Sequence, residues 1–440
     1  MEKKLQGLGS LSLFVCCFRR RAPKTACLAG LALLLGLSGC ESKRRPGTGG
    51  SAPAGLSAPS VSPVPNPKEA PEAPESFTKT AKEPTPSPAE DEALQPVAQQ
   101  GLSERWTIGA VADVGPAAPM TAAAQGVVLI SKDNRIHLAR RKKDQFVSVD
   151  LPPDAVSRYG RGPALTSEHV YWVSPEGALL EGALNSETVR ELDRDVRFGA
   201  RVSALSVQDR DLVAYIKGNE ELTTAHLWAS GYGNAKGERK SLSPEGSSAT
   251  SVTLVAEQPH PRVVVLEGRS GMSPVHSRLV HVTHRRITLE LDQIVWVGPG
   301  SHSLTEIVSL EQPKGGTTTL LASARDITHF GLAQLPIRPD SNEISPIWRP
   351  YPNGLDPAPV AASRLCGADY ALFAIPSHER PRAPQELRIA RLTAQGLQEE
   401  EILARSRAFN DISVAPLKRG AILAWTADRR TWALVLGCPE

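Results

Sequence analysis

Aromatic side chains and net charge are both scarce in this chain. Phe, Trp and Tyr together make up 5% of the 440 residues, and 50 Lys and Arg stand against 47 Asp and Glu. Proteins that bind DNA or RNA present a basic patch or stripe to the phosphate backbone. So small an excess of positive charge leaves no such overall footprint, and we expect no nucleic-acid partner.

The sequence also lacks the short motifs that hold nucleotides or activate a serine. It contains no Walker-type loop, no dinucleotide fingerprint and no Gly-x-Ser-x-Gly elbow. Gly268–Gly271 contains a serine between glycines but does not have the spacing of the elbow. We therefore expect no cofactor and no nucleophilic serine of the hydrolase type.

The first 39 residues have the layout of an export signal. Arg19–Arg21 and Lys24 precede an apolar run of eleven residues, Cys27–Leu37, which is typical of a signal peptide and too short for a membrane-spanning helix of about 20 residues. The run ends in Leu37-Ser38-Gly39-Cys40, which resembles the lipobox of bacterial lipoproteins. An ordinary hydrophobic leader followed by an unrelated cysteine is the alternative.

The resemblance to bacterial lipoproteins implies a processing route and a location. Residues 1–39 would be removed as the signal peptide, and Cys40 would become the first residue and carry acyl chains such as palmitate. Two or three acyl chains anchor a protein stably, because each buried methylene contributes about 0.8 kcal/mol. We therefore expect a cell-envelope protein that is lipid-anchored to the outer or inner membrane of a diderm bacterium.

The positive charge belongs to the segment that this cleavage would remove. Residues 1–39 hold six basic side chains and one acidic side chain, whereas residues 40–440 hold 44 basic and 46 acidic ones. The expected mature chain is therefore almost neutral, which strengthens the case against an anionic polymer as its partner.

Residues 40–104 have the composition of a disordered tether. There are 12 prolines among residues 41–100, and Ser, Gly, Ala, Glu and Lys make up most of the rest. Such a composition cannot bury enough apolar surface to offset the entropy lost on ordering. A passive linker and a spacer that holds the following domain away from the membrane predict the same sequence. Proline-rich docking to a partner is a third interpretation.

From residue 105 to 440 short apolar segments alternate with turns rich in Gly, Pro, Asn and Asp. The repeated unit has a small-residue strand, a strongly apolar strand and an alternating strand, and several units add a more polar fourth one. Seven copies are centred on Gly126–Leu138, Ala164–Leu184, Leu212–Trp228, Arg262–Val282, Leu304–Leu321, Tyr370–Arg391 and Gly420–Leu436. Seven units over the 336 residues from 105 to 440 average 48 residues each, which is the length of a four-stranded blade.

We predict an all-β domain at 105–440, a β-propeller of about seven four-stranded blades. The last unit stops at Leu436 after its third strand, and Trp106–Val111 would supply the fourth strand and close the ring, which protects the sheet edges. Val170–Val173, followed by Gly177, resembles the Tyr-Trp-containing blades of some bacterial lipoprotein propellers. Six or eight blades, a pair of β-sandwiches or another all-β array are the alternatives.

Cys366 and Cys438 are the only cysteines that follow Cys40. Because exported proteins fold in oxidising compartments, these two residues are a candidate disulfide. In a propeller the bond would link the last blade to the one before it. Two buried, unreactive thiols are the alternative.

A metal site is not expected. His276, His281 and His284 cluster in the sequence, but positions 281 and 284 point to opposite sides of an extended chain. The cluster has no adjacent cysteine pair and no carboxylate at a ligand spacing. Histidines at the surface or in turns explain the pattern.

Two further groups of residues are candidates for a functional site. Paired carboxylates would suit glycoside cleavage, although acids in loops more often serve as turn residues, and the candidates are Asp113, Asp209, Asp211, Asp292, Asp326 and Asp411. Tryptophans recur about once per unit, where they would fill the packing between blades or form a binding platform: Trp172, Trp228, Trp296, Trp348, Trp425 and Trp432.

These features favour a monomeric binding or scaffold protein over an enzyme. We expect a lipid-anchored domain that engages a protein or glycan partner and has no catalytic residues. The alternative is a glycan hydrolase or lyase working in the central channel, and a structural part of a larger envelope complex is a third hypothesis. Three or more acidic or histidine side chains from several units, within hydrogen-bond reach at one channel mouth, would favour the enzyme.

Overall fold

The structure is a computed structural model. It describes residues 101–102 and 105–438, except 144, 152–160, 185, 220–221, 232–235, 244–247, 257–259, 268–274, 284–285, 291–292, 297–302, 311–317, 326–329, 338–345, 352–356 and 377–383. Nearly all of the predicted leader and tether, including Cys40, lies outside the described residues. In the part that is described, no helix is long and apolar enough to cross a membrane.

The described residues form β-strands and turns, without a helix. Three short strands precede the first blade: β1 (Gly101–Leu102), β2 (Thr107–Ile108) and β3 (Ala112–Pro116). Blade one contains β4 (Met120–Ala123), β5 (Gly126–Ile130), β6 (Ile136–Lys142) and β7 (Gln145–Phe146). Blade two contains β8 (Ala164–Leu165), β9 (His169–Val173), β10 (Leu179–Ala183) and β11 (Val189–Asp193). Blade three contains β12 (Ser203–Val207), β13 (Arg210–Gly218), β14 (Thr223–Ala229) and β15 (Glu238–Ser241).

The remaining blades follow the same order. Blade four contains β16 (Ala249–Val255), β17 (Arg262–Glu267), β18 (Val275–Val282), β19 (Ile287–Leu289) and β20 (Gln293–Trp296). Blade five contains β21 (Ser303–Ser309), β22 (Thr318–Arg325), β23 (Phe330–Ile337) and β24 (Ile347–Tyr351). Blade six contains β25 (Val360–Leu365), β26 (Ala368–Pro376), β27 (Gln385–Thr393) and β28 (Gly396–Ser406). Blade seven is built from β29 (Phe409–Leu417), β30 (Gly420–Ala427) and β31 (Arg430–Gly437).

The described strands pair into seven antiparallel sheets, and six of these are made of consecutive strands. The innermost strand is the first strand of each of blades one to six and β29 in blade seven, and these strands surround a central channel. The prediction of a seven-bladed β-propeller is confirmed. In blade four the outer position is divided, because β19 and β20 both pair with β18.

The amino-terminal strands complete blade seven. Thr107 and Ile108 pair with Gly437 and Leu436 of β31, and β3 pairs with the beginning of the same strand. The sheet is therefore closed by both ends of the domain, as the sequence predicted. The closing strand is longer than the predicted Trp106–Val111, because it continues as far as Pro116 after a break between β2 and β3.

The hydrophobic core is divided among the seven interfaces between neighbouring blades. Seven clusters of buried side chains are present in the described residues, one at each interface. The ring closes through the cluster between blades seven and one, where Ile422 and Ala433 pack with Met120 and Leu129. Each blade is thus apolar on both faces, which explains the continuous apolar strands of the repeat.

Turn chemistry fixes where the second strands begin. Gly126 and Gly420 both have a positive φ, 149° and 144°, and a Cβ at either would lie within about 2 Å of a carbonyl oxygen on the neighbouring strand. Only glycine fits there. Tight turns at 208–209 and 428–429 have two successive positive φ angles, the conformation that suits a two-residue hairpin.

A disulfide links blade six to blade seven in the structure. It joins Cys366, in the turn after β25, to Cys438, directly after β31, and the two Cα atoms are 5.7 Å apart. The same interface holds the ring of Trp106, which packs edge-on against Tyr370 of β26 with ring centroids 5.0 Å apart. The seam between the last two blades is therefore fixed by covalent and aromatic contacts close to the point where the chain enters the domain.

Candidate functional site

The inner strands of all seven blades line a cavity of about 220 Å³ in the central channel. Its wall consists largely of small and hydroxyl side chains. Ser413 Oγ accepts a hydrogen bond from the Ala122 amide, and Ser203 Oγ accepts one from the Leu254 amide, each at 3.0 Å. These serines join neighbouring inner strands, so their hydroxyls hold the channel wall together.

Four charged side chains from four blades meet one another, and we call them the channel quartet: Arg161 ahead of β8, Arg201 ahead of β12, Glu306 of β21 and Asp411 of β29. Arg201 and Asp411 line the cavity itself. Arg201 places Nε 2.8 Å from Glu306 Oε1 and Nη2 3.4 Å from Asp411 Oδ1. Arg161 places Nη2 3.4 Å from Glu306 Oε2 and Nη1 3.5 Å from Asp411 Oδ1. Each guanidinium therefore bridges both carboxylates, and the quartet ties blades two, three, five and seven together across the channel.

Backbone groups complete the surroundings of Asp411. Its Oδ2 accepts a hydrogen bond from the Gly162 amide at 2.8 Å, and its Oδ1 accepts one from the Ile412 amide at 3.0 Å. Arg201 also donates to the carbonyl oxygen of Val360 on blade six at 3.4 Å. Burial raises the pKa of Asp411 above its usual range, and the Glu306 carboxylate adds to this, although both arginines act in the opposite direction.

The ion pair between Arg201 and Glu306 is short but lacks good hydrogen-bond geometry. Arg201 Nε and Glu306 Oε1 are 2.8 Å apart, yet neither atom has a hydrogen-bond partner of good geometry among the described residues. The attraction between them is therefore mainly that of two opposite charges at short distance. The quartet holds four charges in a confined space with less than complete hydrogen bonding, an arrangement more costly than an apolar plug of the same size.

Sequence analysis identified Asp411 but missed the other three members of the quartet. A local signal for the arginines exists, because Arg161 and Arg201 stand in the same place in consecutive units, each four residues before the leucine of an Ala-Leu pair, at Leu165 and Leu205. Both positions lie just ahead of an innermost strand. No comparable signal marks Glu306, which faces the channel in the middle of β21.

Of the other candidate aspartates, those that the structure describes do not belong to the channel quartet. Asp113 binds Arg430 on the outer side of blade seven, with 2.6 Å between the charged atoms. Asp209 is a turn residue with a positive φ of 61°. Asp292 and Asp326 lie outside the described residues.

Asp211 is a buried polar hub between blades two and three. It accepts hydrogen bonds from Tyr171 at 2.7 Å, Ser206 at 2.6 Å and Thr166 at 3.0 Å, and its Oδ2 lies 2.9 Å from Nδ1 of His169. Burial alone would raise the pKa of Asp211, but these hydrogen bonds outweigh burial and lower it. The carboxylate therefore stays ionised and joins the two blades.

Tryptophan side chains fill the packing between blades. Trp172, Trp228 and Trp425 are buried at the interfaces one–two, two–three and six–seven. Trp348 and Trp432 pack against two of the clusters from partly buried positions. Trp296 belongs to β20, but its side chain is outside the described set. Among the described tryptophans, none lines the channel cavity.

The histidines of blade four bind separate carboxylates. His276 Nε2 lies 3.4 Å from Glu267, and His281 Nε2 lies 2.6 Å from Glu290. His284 is outside the described residues. Across the described parts of the chain, no three His, Cys, Asp or Glu side chains form a group that could hold a metal ion.

A serine, a histidine and an aspartate also meet at the hairpin between β5 and β6. Ser131 Oγ lies 3.1 Å from His137 Nε2 and donates a hydrogen bond to Asp133. In a catalytic triad the histidine accepts the proton of the serine and the aspartate binds the histidine. Here the serine hydroxyl donates its hydrogen bond to the aspartate instead of to the histidine, and the serine is buried. These contacts therefore stabilise the turn.

Comparisons with known proteins give likenesses among solved structures only, since no protein-family model and no curated protein matches the chain. The β-propeller domain of Myceliophteria thermophila Cps50 (Swd1) is 12% identical, covers 76% of this chain and 100% of its own, and has a TM-score of 0.49. A chain of the S. cerevisiae complex of Dbp5 with Nup159 and Gle1 is 10% identical, covers 78% of this chain and 99% of its own, and has a TM-score of 0.46. The catalytic domain of the Coprinopsis cinerea GH62 α-L-arabinofuranosidase is 11% identical, covers 54% of this chain and 90% of its own, and has a TM-score of 0.35. The fold assignment rests on the strand pairing of this chain.

Proposed function

We propose that this chain is a lipid-anchored envelope protein whose β-propeller binds a protein or glycan partner as a non-enzymatic, monomeric scaffold. Cys40 is the lipid attachment site and residues 41–104 are the tether. The lipobox resemblance at Leu37–Cys40 supports the anchor, and the propeller fold supports a binding role, because radial blades present two broad loop-lined faces on a rigid ring.

One observation carries the non-enzymatic part of the proposal. In the described residues, the two carboxylates at the channel, Glu306 and Asp411, are both bound to Arg161 and Arg201. A glycoside hydrolase needs one carboxyl group free to give a proton to the leaving group and a second free to act on the sugar. Asp411 has a raised pKa, but both of its oxygens are occupied and its side chain is only 7% exposed. It cannot reach a glycosidic oxygen in this arrangement.

The anchor is tested by blocking its chemistry in a diderm bacterium. The full chain is expected to sediment with membranes, and either the variant Cys40→Ser or the lipoprotein signal peptidase inhibitor globomycin is expected to retain the leader and shift the band upward on a gel. A change of Cys366→Ser is the matched control and should leave membrane attachment intact. A soluble product that does not respond to globomycin would contradict the anchor.

The scaffold role is tested by comparing partner capture with catalysis. The intact protein, crosslinked in cells and purified under denaturing conditions, is expected to yield a defined partner, and purified protein is expected to release no reducing ends from envelope polysaccharides. A release that is lost in Glu306→Gln but kept in Glu191→Gln, a carboxylate on the exposed edge of blade two, would favour the hydrolase alternative. An unsaturated sugar product would favour the lyase.

A further inference from the structure

The two ends of the propeller carry different features. In blade seven Thr107 pairs with Gly437, Gly437 pairs with Gly420 and Gly420 pairs with Leu417, so the chain enters the domain where the innermost strand β29 finishes. Asp411 lies near the opposite end of β29, six residues or roughly 20 Å from Leu417. We call these the entry end and the quartet end.

The first contacts that the chain makes on entering the domain lie at the entry end. Arg105 forms a 2.9 Å ion pair with Glu399 of blade six, and Trp106 packs on Tyr370. The Cys366–Cys438 bond lies at the same end, since it follows the last residues of β25 and β31. The chain therefore enters the described domain at the end away from the quartet.

Within the channel quartet the arginines are more exposed than the carboxylates. The side chains of Arg161 and Arg201 are 28% and 25% exposed, whereas those of Glu306 and Asp411 are 10% and 7% exposed. The carboxylates hold the two guanidiniums in fixed positions, and the arginines present the larger exposed surface of the quartet. Arginines fixed in this way are suited to a carboxylate, because the planar guanidinium offers paired N–H donors that match its two oxygens.

The cavity beside the arginines limits the size of the group that enters. Its volume is about 220 Å³, and its wall includes Arg201 and Asp411 together with small residues such as Gly162 and Ala361. Pockets for drug-sized ligands occupy about 300–1,000 Å³. A single acidic side chain or a chain terminus is small enough to enter this space.

We propose that the quartet end is a recognition site for a carboxylate of a protein partner, either an acidic side chain or a carboxyl terminus. The inference deepens the proposed scaffold function and rests on it. A protein is favoured over an acidic glycan because the described tryptophans, which would stack on sugar rings, are used between blades and line no part of the cavity.

The first experiment uses defined probes with the purified wild-type domain, chain 101–440. Acetyl-tetraalanine with a free carboxyl terminus, its amidated counterpart and glucuronate are titrated while the arginine Nε–H signals are followed by NMR. The free acid is expected to bind in the millimolar range and to shift two arginine signals, and the amide to bind at least tenfold more weakly. Equal binding of acid and amide, or no binding of either, would overturn the site.

Variants separate the site from general charge. Arg161→Gln is expected to weaken binding of the free acid at least tenfold, since it removes one guanidinium of the pair, whereas Arg194→Gln, an exposed arginine of blade two, should leave binding unchanged. The wild-type comparison of acid and amide decides the matter if Arg161→Gln fails to fold. Glucuronate binding alone would overturn the protein partner in favour of a glycan.

Failure of this site and failure of the scaffold role give different results. If the quartet end is wrong but the scaffold is right, the peptide probes do not bind, yet crosslinking in cells still captures a defined partner. If the scaffold role is wrong, no defined partner is captured. A partner whose capture is lost in Arg161→Gln and kept in Arg194→Gln is the result expected when both are right.

Discussion

Replacing Arg201 with methionine is expected to lower the free energy of unfolding by about 3–5 kcal/mol at neutral pH. The substitution leaves Glu306 and Asp411 buried with only Arg161 to balance them. Removing one partner of a buried ion pair leaves an uncompensated charge, whereas methionine replaces most of the volume of the arginine stem. Urea denaturation of the 101–440 domain, followed by tryptophan fluorescence, measures the change.

The deficit of Arg201→Met is expected to shrink as the solution is acidified. Burial already holds the pKa of Asp411 above its usual range in the folded protein, and loss of Arg201 raises it further. When the pKa of a carboxyl group is higher in the folded than in the unfolded state, the protein becomes more stable as the pH falls through the folded-state pKa. The reason is that the folded state takes up the proton first. The variant thus recovers towards the wild type at acidic pH.

A matched arginine on the surface serves as the control. Arg194 binds Glu191 at 2.5 Å, but its side chain is 77% exposed, so Arg194→Met is expected to leave the free energy of unfolding almost unchanged. The double variant Arg201→Met with Glu306→Gln is expected to lose less than the sum of the two single changes, because the residues are coupled. An Arg201→Met deficit that is additive and independent of pH would show that the quartet does not act as an ion-pair network.

The blades could be predicted from the sequence because each one repeats a local pattern. The units at Gly126–Leu138 and Gly420–Leu436 each begin with a glycine, because the neighbouring strand lies too close there for a Cβ. Their apolar runs match β5 and β30. Closure was also predictable, since a seventh unit with three strands needs a fourth from elsewhere. The part that extended to Pro116 was missed because Ala112–Pro116 contains glycine, aspartate and proline, which are typical of turns.

The channel quartet was predictable only in part, because its contacts join distant segments. Arg161 and Asp411 are 250 residues apart in the chain, and only closure of the ring brings them together. Asp211 illustrates the opposite error. The sequence made it a candidate for a carboxylate pair, but it lies at the start of β13, which is the second strand of its blade. Its side chain therefore contacts Tyr171 of blade two. Alternation along a strand identifies its two faces and does not identify the strand's position within the blade.

Reduction of the bond between Cys366 and Cys438 is the other change with a large expected effect. The two residues are 72 positions apart, and releasing a loop of this size adds chain entropy to the unfolded state worth about 4 kcal/mol. Stability of the 101–440 domain, isolated from an oxidising compartment, is therefore expected to fall by about that amount on addition of dithiothreitol. Mass spectrometry of peptides before and after reduction tests the pairing itself.

This disulfide joins two different blades, whereas a disulfide within one blade would stabilise that blade alone. It joins blade six to blade seven at the entry end, beside the Trp106–Tyr370 contact, so it links the two blades where the described domain begins. Reduction is expected to increase amide hydrogen exchange first in β29–β31, the sheet that β1–β3 complete from the other end of the described domain. The double variant Cys366→Ala with Cys438→Ala is the control and should be insensitive to dithiothreitol. Two free thiols in protein isolated from an oxidising compartment would contradict the pairing.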